Sequence, residues 1–208
     1  MRRLRLALRA DGGPGVGSGH LARCHALAEG WVARGGDAVL VSGHVPEPWP
    51  ERIRDAGAAL AAPGDGTAAD WWVVDGYLLA DAGREATGSK ILRIDDFDST
   101  GTGGAGADLV LDQNLGASTY PGARATLRGP RYALVRAGVR AARIGDSGTG
   151  VVLALGDAPA PDVEAFGVEL EATLRRRGVD VVRLSGVDEA DAAMARCAVA
   201  VAAAGSTC

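Results

Sequence analysis

The residue best suited to acid–base chemistry is His20, which follows a glycine-rich loop and begins a predicted helix. A helix N-terminus disfavours the charged imidazolium, so the ring is predicted to be neutral near pH 7 and able to accept a proton from water. His20 is therefore the candidate general base. We interpret its position as a loop–helix junction outside the core, so that its replacement should change the fold little. The alternative is that it only fills space where the helix starts.

The loop before His20 has glycines at alternate positions from Gly15 to Gly19, a pattern that suits a ligand close to the backbone. The helix that follows offers unpaired N–H groups to an anion. The spacing is not the dinucleotide fingerprint, and the second predicted strand ends in Ser42 rather than in a ribose-binding acid. No Gly-Lys-Ser/Thr follows either, so neither a nicotinamide nor any other cofactor is expected.

His20, Cys24 and His25 are spaced closely enough to raise the question of a zinc site. His20 and Cys24 share a helix face, but His25 is rotated away from Cys24 by about 100°. No second group of ligands accompanies them, so no metal is predicted and Cys24 is interpreted as a small buried apolar residue. Ser18 lacks the glycine pattern of a serine-hydrolase elbow, which argues against that class.

The charge and composition of the 208-residue chain exclude several classes of partner. The net charge is −4, and the basic run Arg175–Arg177 is predicted to end a helix, where it favourably meets the helix dipole. We therefore predict no nucleic-acid binding. No apolar run approaches the roughly 18 residues of a membrane span. Three unevenly spaced cysteines and no signal-peptide core favour a cytoplasmic location.

Short apolar runs alternate with helical segments, which predicts an α/β protein with parallel sheets covered by helices. The predicted strands are Leu4–Leu8, Ala38–Ser42, Trp71–Val74, Ile91–Ile94, Leu109–Leu111, Val151–Leu155, Val179–Leu184 and Val199–Ala203. The predicted helices are His20–Arg34, Pro50–Ala56, Leu78–Ala86, Pro161–Arg177 and Glu189–Arg196. The chain is predicted to form an N-terminal domain (1–138), a linker (139–150) and a partial C-terminal domain (151–208).

Polar residues follow several of the predicted strands, and the carboxyl ends of parallel strands meet at one edge of a sheet. They are Asp75 and Tyr77, the pair Asp95–Asp96, and the run Asp112–Asn114. Together with the loop before His20, they predict a ligand site at that edge. Asp95 and Asp96 are adjacent, so their side chains should diverge, which disfavours a retaining-glycosidase pair. Helix capping or loop hydrogen bonding is their alternative role.

Ordered motifs over most of the first domain resemble those of the hydrolases that release UDP in pseudaminic acid biosynthesis (PseG type). They are Asp11–Cys24, Val74–Tyr77, Ile94–Asp96, Leu111–Gly116 and Gly129–Arg136. Related spore-coat polysaccharide proteins share these motifs. The resemblance implies two Rossmann-like domains of GT-B type, as in the lipid-II glycosyltransferase, with the second domain incomplete in this chain.

The resemblance also implies an activity, namely metal-independent cleavage of a UDP-linked diacetamido-trideoxyhexose to UDP and the free sugar. In that family the histidine matching His20 activates water for attack at the anomeric carbon. The residues implied to bind substrate are Asp11, Gly17, Ser18, Gly19, Tyr77 and Asn114. Those implied to bind the nucleotide are Gly205, Ser206 and Thr207.

Two departures from the family pattern lie in the second domain. Gly156–Asp157 stands where paired glycines are usual, and Cys208 stands where the family continues with Trp-Glu. We therefore expect these 208 residues to be an incomplete enzyme that binds nucleotide weakly or not at all. Two alternatives to a hydrolase remain: a glycosyltransferase on the same scaffold, with His20 activating an acceptor hydroxyl, and a non-catalytic protein that binds nucleotide sugars.

Overall fold

The computed structural model describes residues 2–77, 79, 88–141, 148–156, 159–184 and 190–202. The chain divides into two compact units. The first comprises Met1–Gly13 and Ser18–Arg136, and the second comprises Pro14–Gly17 and Ala137–Cys208. Among the described residues, no helix has both the length and the apolar character needed to cross a lipid bilayer.

The first unit contains a seven-stranded parallel sheet. Its strands are β1 (Arg5–Arg9), β2 (Asp37–Val41), β3 (Ala59–Ala61), β4 (Trp71–Asp75), β5 (Lys90–Ile94), β6 (Leu109–Asp112) and β7 (Thr126–Arg128). They lie in the order β3-β2-β1-β4-β5-β6-β7. The chain therefore changes direction across the sheet between β1 and β4, as in a Rossmann-like fold. Sheets of this kind bind ligands in the crevice at that point, outside the carboxyl ends of the strands.

The central strands are uninterrupted apolar runs because both faces of the sheet are covered. Leu8, Val39, Trp72 and Val73 are all almost fully buried. This burial, rather than an alternation of apolar and polar residues, is what made these strands recognisable in the sequence.

Two helices of the first unit are α1 (Gly19–Val32) and α2 (Trp49–Asp55). On α1 the buried residues Leu21, Cys24 and Ala28 recur at helical spacing and form the face that packs inward. Helix α1 ends two residues before the predicted Arg34. Gly35 follows it with φ +83°, a left-handed conformation that glycine adopts without strain and that commonly terminates helices.

The second unit contains a three-stranded parallel sheet of β8 (Gly150–Ala154), β9 (Val181–Arg183) and β10 (Cys197–Ala202), in the order β10-β8-β9. Its described helices are α3 (Ala137–Ala141), α4 (Pro161–Arg176) and α5 (Ala190–Arg196). Helix α4 confirms that Arg175 and Arg176 occupy a last helical turn. There they face the negative end of the helix dipole.

The predicted α/β class with parallel sheets is confirmed, and the strands β3 and β7 are additions that the sequence did not indicate. Several predicted features fall on residues outside those described. They are most of the helix Leu78–Ala86, half of the linker 139–150, Asp157 and the segment Gly205–Cys208.

Candidate active site at the carboxyl edge of the first sheet

His20 and Asp75 meet where the strand order reverses. His20 lies in the first turn of α1, which follows β1, and Asp75 is the last residue of β4, the strand that pairs with β1. The His20 Nδ1 atom is 2.7 Å from Asp75 Oδ1. Both residues are buried, with exposed fractions of 3% for His20 and 0% for Asp75.

The contact between these two side chains determines which nitrogen of His20 carries the proton. A carboxylate can only accept hydrogen bonds, so a separation of 2.7 Å requires that Nδ1–H donates to Asp75. In the neutral ring, Nε2 then carries the lone pair. This is the arrangement that orients a histidine as a general base in hydrolytic enzymes.

Arg23 lies one helical turn after His20 and binds the same carboxylate. Its Nε donates to Asp75 Oδ2 at 2.8 Å and its Nη2 donates to Asp75 Oδ1 at 2.6 Å. Its Nη1 donates to both oxygens of Asp96, at 2.9 and 3.0 Å. Burial lowers the pKa of Arg23, but the charges of Asp75 and Asp96 outweigh it and raise that pKa. The buried guanidinium is therefore paired on both sides, as a charge without water requires.

Asp96 collects donors from three parts of the chain. Besides Arg23, the Tyr77 hydroxyl donates to Oδ2 at 3.0 Å and Asn114 Nδ2 donates to Oδ1 at 2.8 Å. Burial raises the pKa of Asp96, but Arg23 and these hydrogen bonds outweigh it, so the pKa lies below its ordinary value. With all these donors in place, Asp96 acts as an acceptor that holds its neighbours in position.

Tyr77 connects Asp96 with His20. Its ring meets the His20 ring edge to face, with centroids 4.9 Å apart. About half of the side chain is exposed. Partial burial, followed by the charge of Asp96, raises the pKa of the Tyr77 hydroxyl, which favours its protonated, hydrogen-donating form. Tyr77 thus presents an aromatic surface beside His20.

The neighbouring carboxylates Asp95 and Asp96 have different partners. Asp95 Oδ1 accepts from the Ser99 backbone N–H and hydroxyl, and Thr100 donates to Oδ2. The predicted divergence of the two side chains is therefore confirmed. The alternative role in loop hydrogen bonding holds for Asp95, whereas Asp96 belongs to the His20–Arg23 network.

The loop after β5 is held in an uncommon backbone conformation. Phe97 and Asp98 have φ values of +59° and +57°, in the left-handed region that non-glycine residues rarely adopt. The Phe97 N–H donates to the buried Asp112, and the Asp98 N–H donates to the Tyr120 hydroxyl, which itself donates to Asp112. Conformations of this kind persist where the surrounding contacts determine them, and they concentrate near functional sites.

The predicted substrate-binding residues are divided between two regions. Tyr77 and Asn114 share Asp96 as a partner and lie in the network of His20. Asp11 instead accepts hydrogen bonds from Arg9, Ser42 and the Gly43 backbone, at the ends of β1 and β2. This second group of contacts includes no residue of the His20 network.

The predicted loop residues lie directly before His20. Gly17 has φ +75°, a conformation in which any other residue would be strained. Ser18 precedes α1, and Gly19 is its first residue. The predicted nucleotide-binding residues Gly205, Ser206 and Thr207 lie outside the described residues.

One expectation about His20 is wrong. The ring is buried rather than peripheral, because the first turn of α1 packs against the carboxyl end of β4 and the imidazole contacts Asp75, Arg23 and Tyr77. Replacing His20 therefore disturbs a buried network, and its effect on activity has to be separated from its effect on stability.

Arg23 has no role in the sequence-based prediction, which expects Asp75 and Asp96 at this edge of the sheet without assigning either to catalysis or to substrate binding. The sequence contained a signal that could have indicated each of these three residues. Arg23 is three residues after His20 and therefore on the same helix face. Asp75 ends a strand and Asp96 follows one closely, and such positions meet at one edge of a parallel sheet.

Cys24 is fully buried on α1, which confirms its interpretation as an apolar core residue, and burial raises the pKa of its thiol well above the ordinary value. Across the described ranges, no group of three or more His, Cys, Asp or Glu side chains is arranged to hold a metal ion.

No family model and no curated protein matches the chain. A functional assignment therefore depends on the geometry around His20 and on the motifs that carry the resemblance. The geometry offers an oriented histidine, two carboxylates bridged by one guanidinium and an exposed aromatic ring at the ligand-binding edge of a Rossmann-like sheet.

Proposed function

We propose that this protein hydrolyses a nucleotide-linked amino sugar, most specifically a UDP-linked diacetamido-deoxyhexose, at the anomeric C–O bond. The observation that carries the proposal is the 2.7 Å contact between His20 Nδ1 and Asp75 at the point where the strand order reverses. It leaves Nε2 of the neutral ring as a base at the edge where Rossmann-like sheets bind ligands.

In the proposed reaction, Nε2 of His20 accepts a proton from a water molecule while the water oxygen bonds to the anomeric carbon. The bond from that carbon to the phosphate oxygen breaks, and UDP leaves with the bonding electrons. The imidazolium then returns its proton to solvent, so that sugar, UDP and one proton are the products. Asp75 stabilises the imidazolium through the Nδ1–H hydrogen bond.

The other residues of the network have supporting roles in this proposal. Arg23 holds Asp75 and Asp96 in place through four hydrogen bonds. Tyr77 provides an apolar surface for a sugar ring beside His20. The nucleotide is proposed to contact Gly205, Ser206 and Thr207, as the resemblance implies.

The test is a screen of UDP-, GDP- and CMP-linked amino sugars, scored for release of free nucleotide without an added acceptor. With an active substrate, the reaction is repeated in water enriched in oxygen-18. Attack at the anomeric carbon places the label in the sugar, whereas attack at phosphorus places it in the nucleotide.

Two results would contradict the proposal. Release that depends on an added alcohol acceptor would assign a glycosyltransferase instead. Tight binding of a nucleotide sugar without any turnover would assign a non-catalytic binding protein. The variant His20→Gln and its matched control His25→Gln, on the same helix, identify which histidine the reaction uses.

A further inference from the structure

Asn114 has an amide group whose two donors are already used. Nδ2 is 2.8 Å from Asp96 Oδ1 and 3.0 Å from Asp112 Oδ1. A carboxylate oxygen only accepts hydrogen bonds, so both contacts must be N–H donations from Asn114. An amide nitrogen has two N–H bonds, and here the two carboxylates engage both of them.

The two carboxylates that hold this amide are themselves held in place. Asp112 is fully buried and also accepts from the backbone N–H of Phe97, Ser118 and Asn114 and from the Tyr120 hydroxyl. Asp96 is held by both contacts from Arg23. Reversing the amide would place its carbonyl oxygen against these oxygens, so the amide orientation is determined by its surroundings.

The remaining polar atom of this side chain is the carbonyl oxygen Oδ1. The side chain is partly exposed, and among the residues that the structure describes none donates a hydrogen bond to Oδ1. Asn114 therefore offers a ligand an acceptor and no donor. It lies in the catalytic network, because Asp96 also binds Tyr77, whose ring contacts His20.

We infer that Asn114 Oδ1 determines substrate specificity by accepting a hydrogen bond from an N–H or O–H group on the sugar. This inference rests on the proposed hydrolysis of a nucleotide sugar and names the chemistry that the site selects. A sugar with a secondary acylamino group or a free hydroxyl satisfies the acceptor. A sugar that carries a fully substituted amide at that position leaves the oxygen desolvated and unpaired, which costs binding free energy.

Selection of this kind is strong because it depends on an unmet hydrogen bond and not on size alone. Sites that hydrogen-bond a substrate group discriminate against analogues without it more effectively than apolar pockets discriminate by one methyl group. A single neutral hydrogen bond predicts a difference of about tenfold in dissociation constant.

The experiment measures dissociation constants by calorimetry for the full chain with three probes. They are UDP-N-acetylglucosamine, its N-methylated acetamido analogue, which lacks the N–H, and UDP-glucose, which has a hydroxyl there. Wild-type protein is expected to bind the N-methyl analogue about tenfold more weakly than the parent compound. Binding of UDP-glucose close to that of the parent assigns hydroxyl recognition, and weaker binding assigns recognition of the amide N–H.

The variant Asn114→Ala removes the acceptor and should bind the parent and N-methyl compounds equally, with the preference of the wild type lost. Equal binding of these two compounds by wild-type protein would overturn the inference without any variant, as would a failure of all three probes to bind. A preference that survives in a folded Asn114→Ala protein would also overturn it.

The outcome is separable from that of the proposed function. If no probe is hydrolysed but the preference for a donor disappears in Asn114→Ala, the recognition role of Asn114 holds and the hydrolase proposal fails. If UDP is released at equal efficiency from the parent and N-methyl compounds, the hydrolase proposal holds and the recognition role fails.

Discussion

Helix α1 carries two buried histidines, and their surroundings differ. His20 donates to the buried Asp75 and lies against Arg23 at the edge of the sheet. His25 packs against Trp49, with ring centroids 6.0 Å apart, and its Nδ1 finds no hydrogen-bond partner in the described part of the chain. Its distance to Glu29 Oε2 is 3.9 Å. Burial alone therefore does not distinguish a candidate catalytic histidine from another buried histidine, whereas the hydrogen-bond partners do.

The difference follows from what packs against each part of α1. The first turn of α1 lies at the carboxyl end of β1, where Asp75 and Asp96 supply charge. Burial lowers the pKa of His25, although Glu29 opposes this shift. The His20 region contains close buried ion pairs, whereas His25 packs against an aromatic ring and is influenced by the charges of Glu29, Arg52 and Arg136. The two regions should therefore respond differently to substitution and to pH.

The largest expected effect belongs to Asp75→Asn, which removes the central charge of the His20 region. The Arg23 guanidinium keeps Asp96 but loses one of its two carboxylates inside the protein. Removing one partner of a buried ion pair typically costs about 3–5 kcal/mol of unfolding free energy. Urea denaturation measures this change. The matched control is Asp70→Asn, which removes a surface partner of Arg2 and should change stability far less. Similar losses of unfolding free energy for the two variants would contradict the conclusion that Asp75 belongs to a buried ion-pair network.

The next effect is on turnover and compares the two histidines directly. We expect His20→Gln to lower kcat by about a hundredfold or more, the usual contribution of a general base. The control His25→Gln should retain kcat within a few-fold, because its ring does not reach the Asp75 network. Steady-state kinetics, with circular dichroism to verify folding, makes the test. If His25→Gln lost more kcat than His20→Gln, His25 and not His20 would be the candidate general base.

A smaller effect is expected from Arg23→Lys, which keeps the charge but not the planar group. One ammonium cannot donate to both oxygens of Asp75 and also reach Asp96, so the orientation of His20 loosens. We expect kcat to fall about tenfold, a loss of roughly 1.4 kcal/mol. Nitrogen-15 spectra of the His20 ring should show a mixture of tautomers instead of Nδ1–H alone. A purely structural role for Arg23 would lower stability and leave the tautomer unchanged.

The smallest expected effect is the pH dependence of stability that His25 contributes. The pKa of His25 is lower when folded than when unfolded, so the unfolded chain binds this proton more readily. Wild-type protein should therefore lose stability as pH falls below about 6.5, the ordinary value for histidine. The variant His25→Leu should lose less stability over the same pH interval. Melting temperatures measured across that range make the comparison, and parallel curves would show that His25 does not contribute.

Most of the sheet was predictable because its strands are long apolar runs, as in β2 and β4. The strands β3 and β7 were not, because each has three residues and neither is rich in β-branched or aromatic side chains. Ala59–Ala61 forms a strand through its parallel pairing with β2 and not through its own preference.

The site was predictable in part for a similar reason. His20, Tyr77 and Asn114 carry recognisable chemistry beside glycines or strand ends, and they share one network. Asp96 belongs to this network, whereas Asp95 accepts hydrogen bonds from the loop that follows it. This division depends on a turn that contains left-handed residues, and two adjacent aspartates in a sequence do not predict such a turn. The burial of His20 likewise depends on Asp75, 55 residues away.

The ion pair between Asp75 and Arg23 also has a consequence for the order of folding. Asp112 takes its donors from residues at most 15 positions away, so its loop requires only local closure. Asp75 needs partners 52 and 55 positions distant, which meet only after β1 has paired with β4. Closing longer loops costs more entropy, so the loop held by Asp112 should form early and the contact between His20 and Asp75 should form late. A partly folded chain then has the ordered loop around Asp112 before Asp75 orients His20.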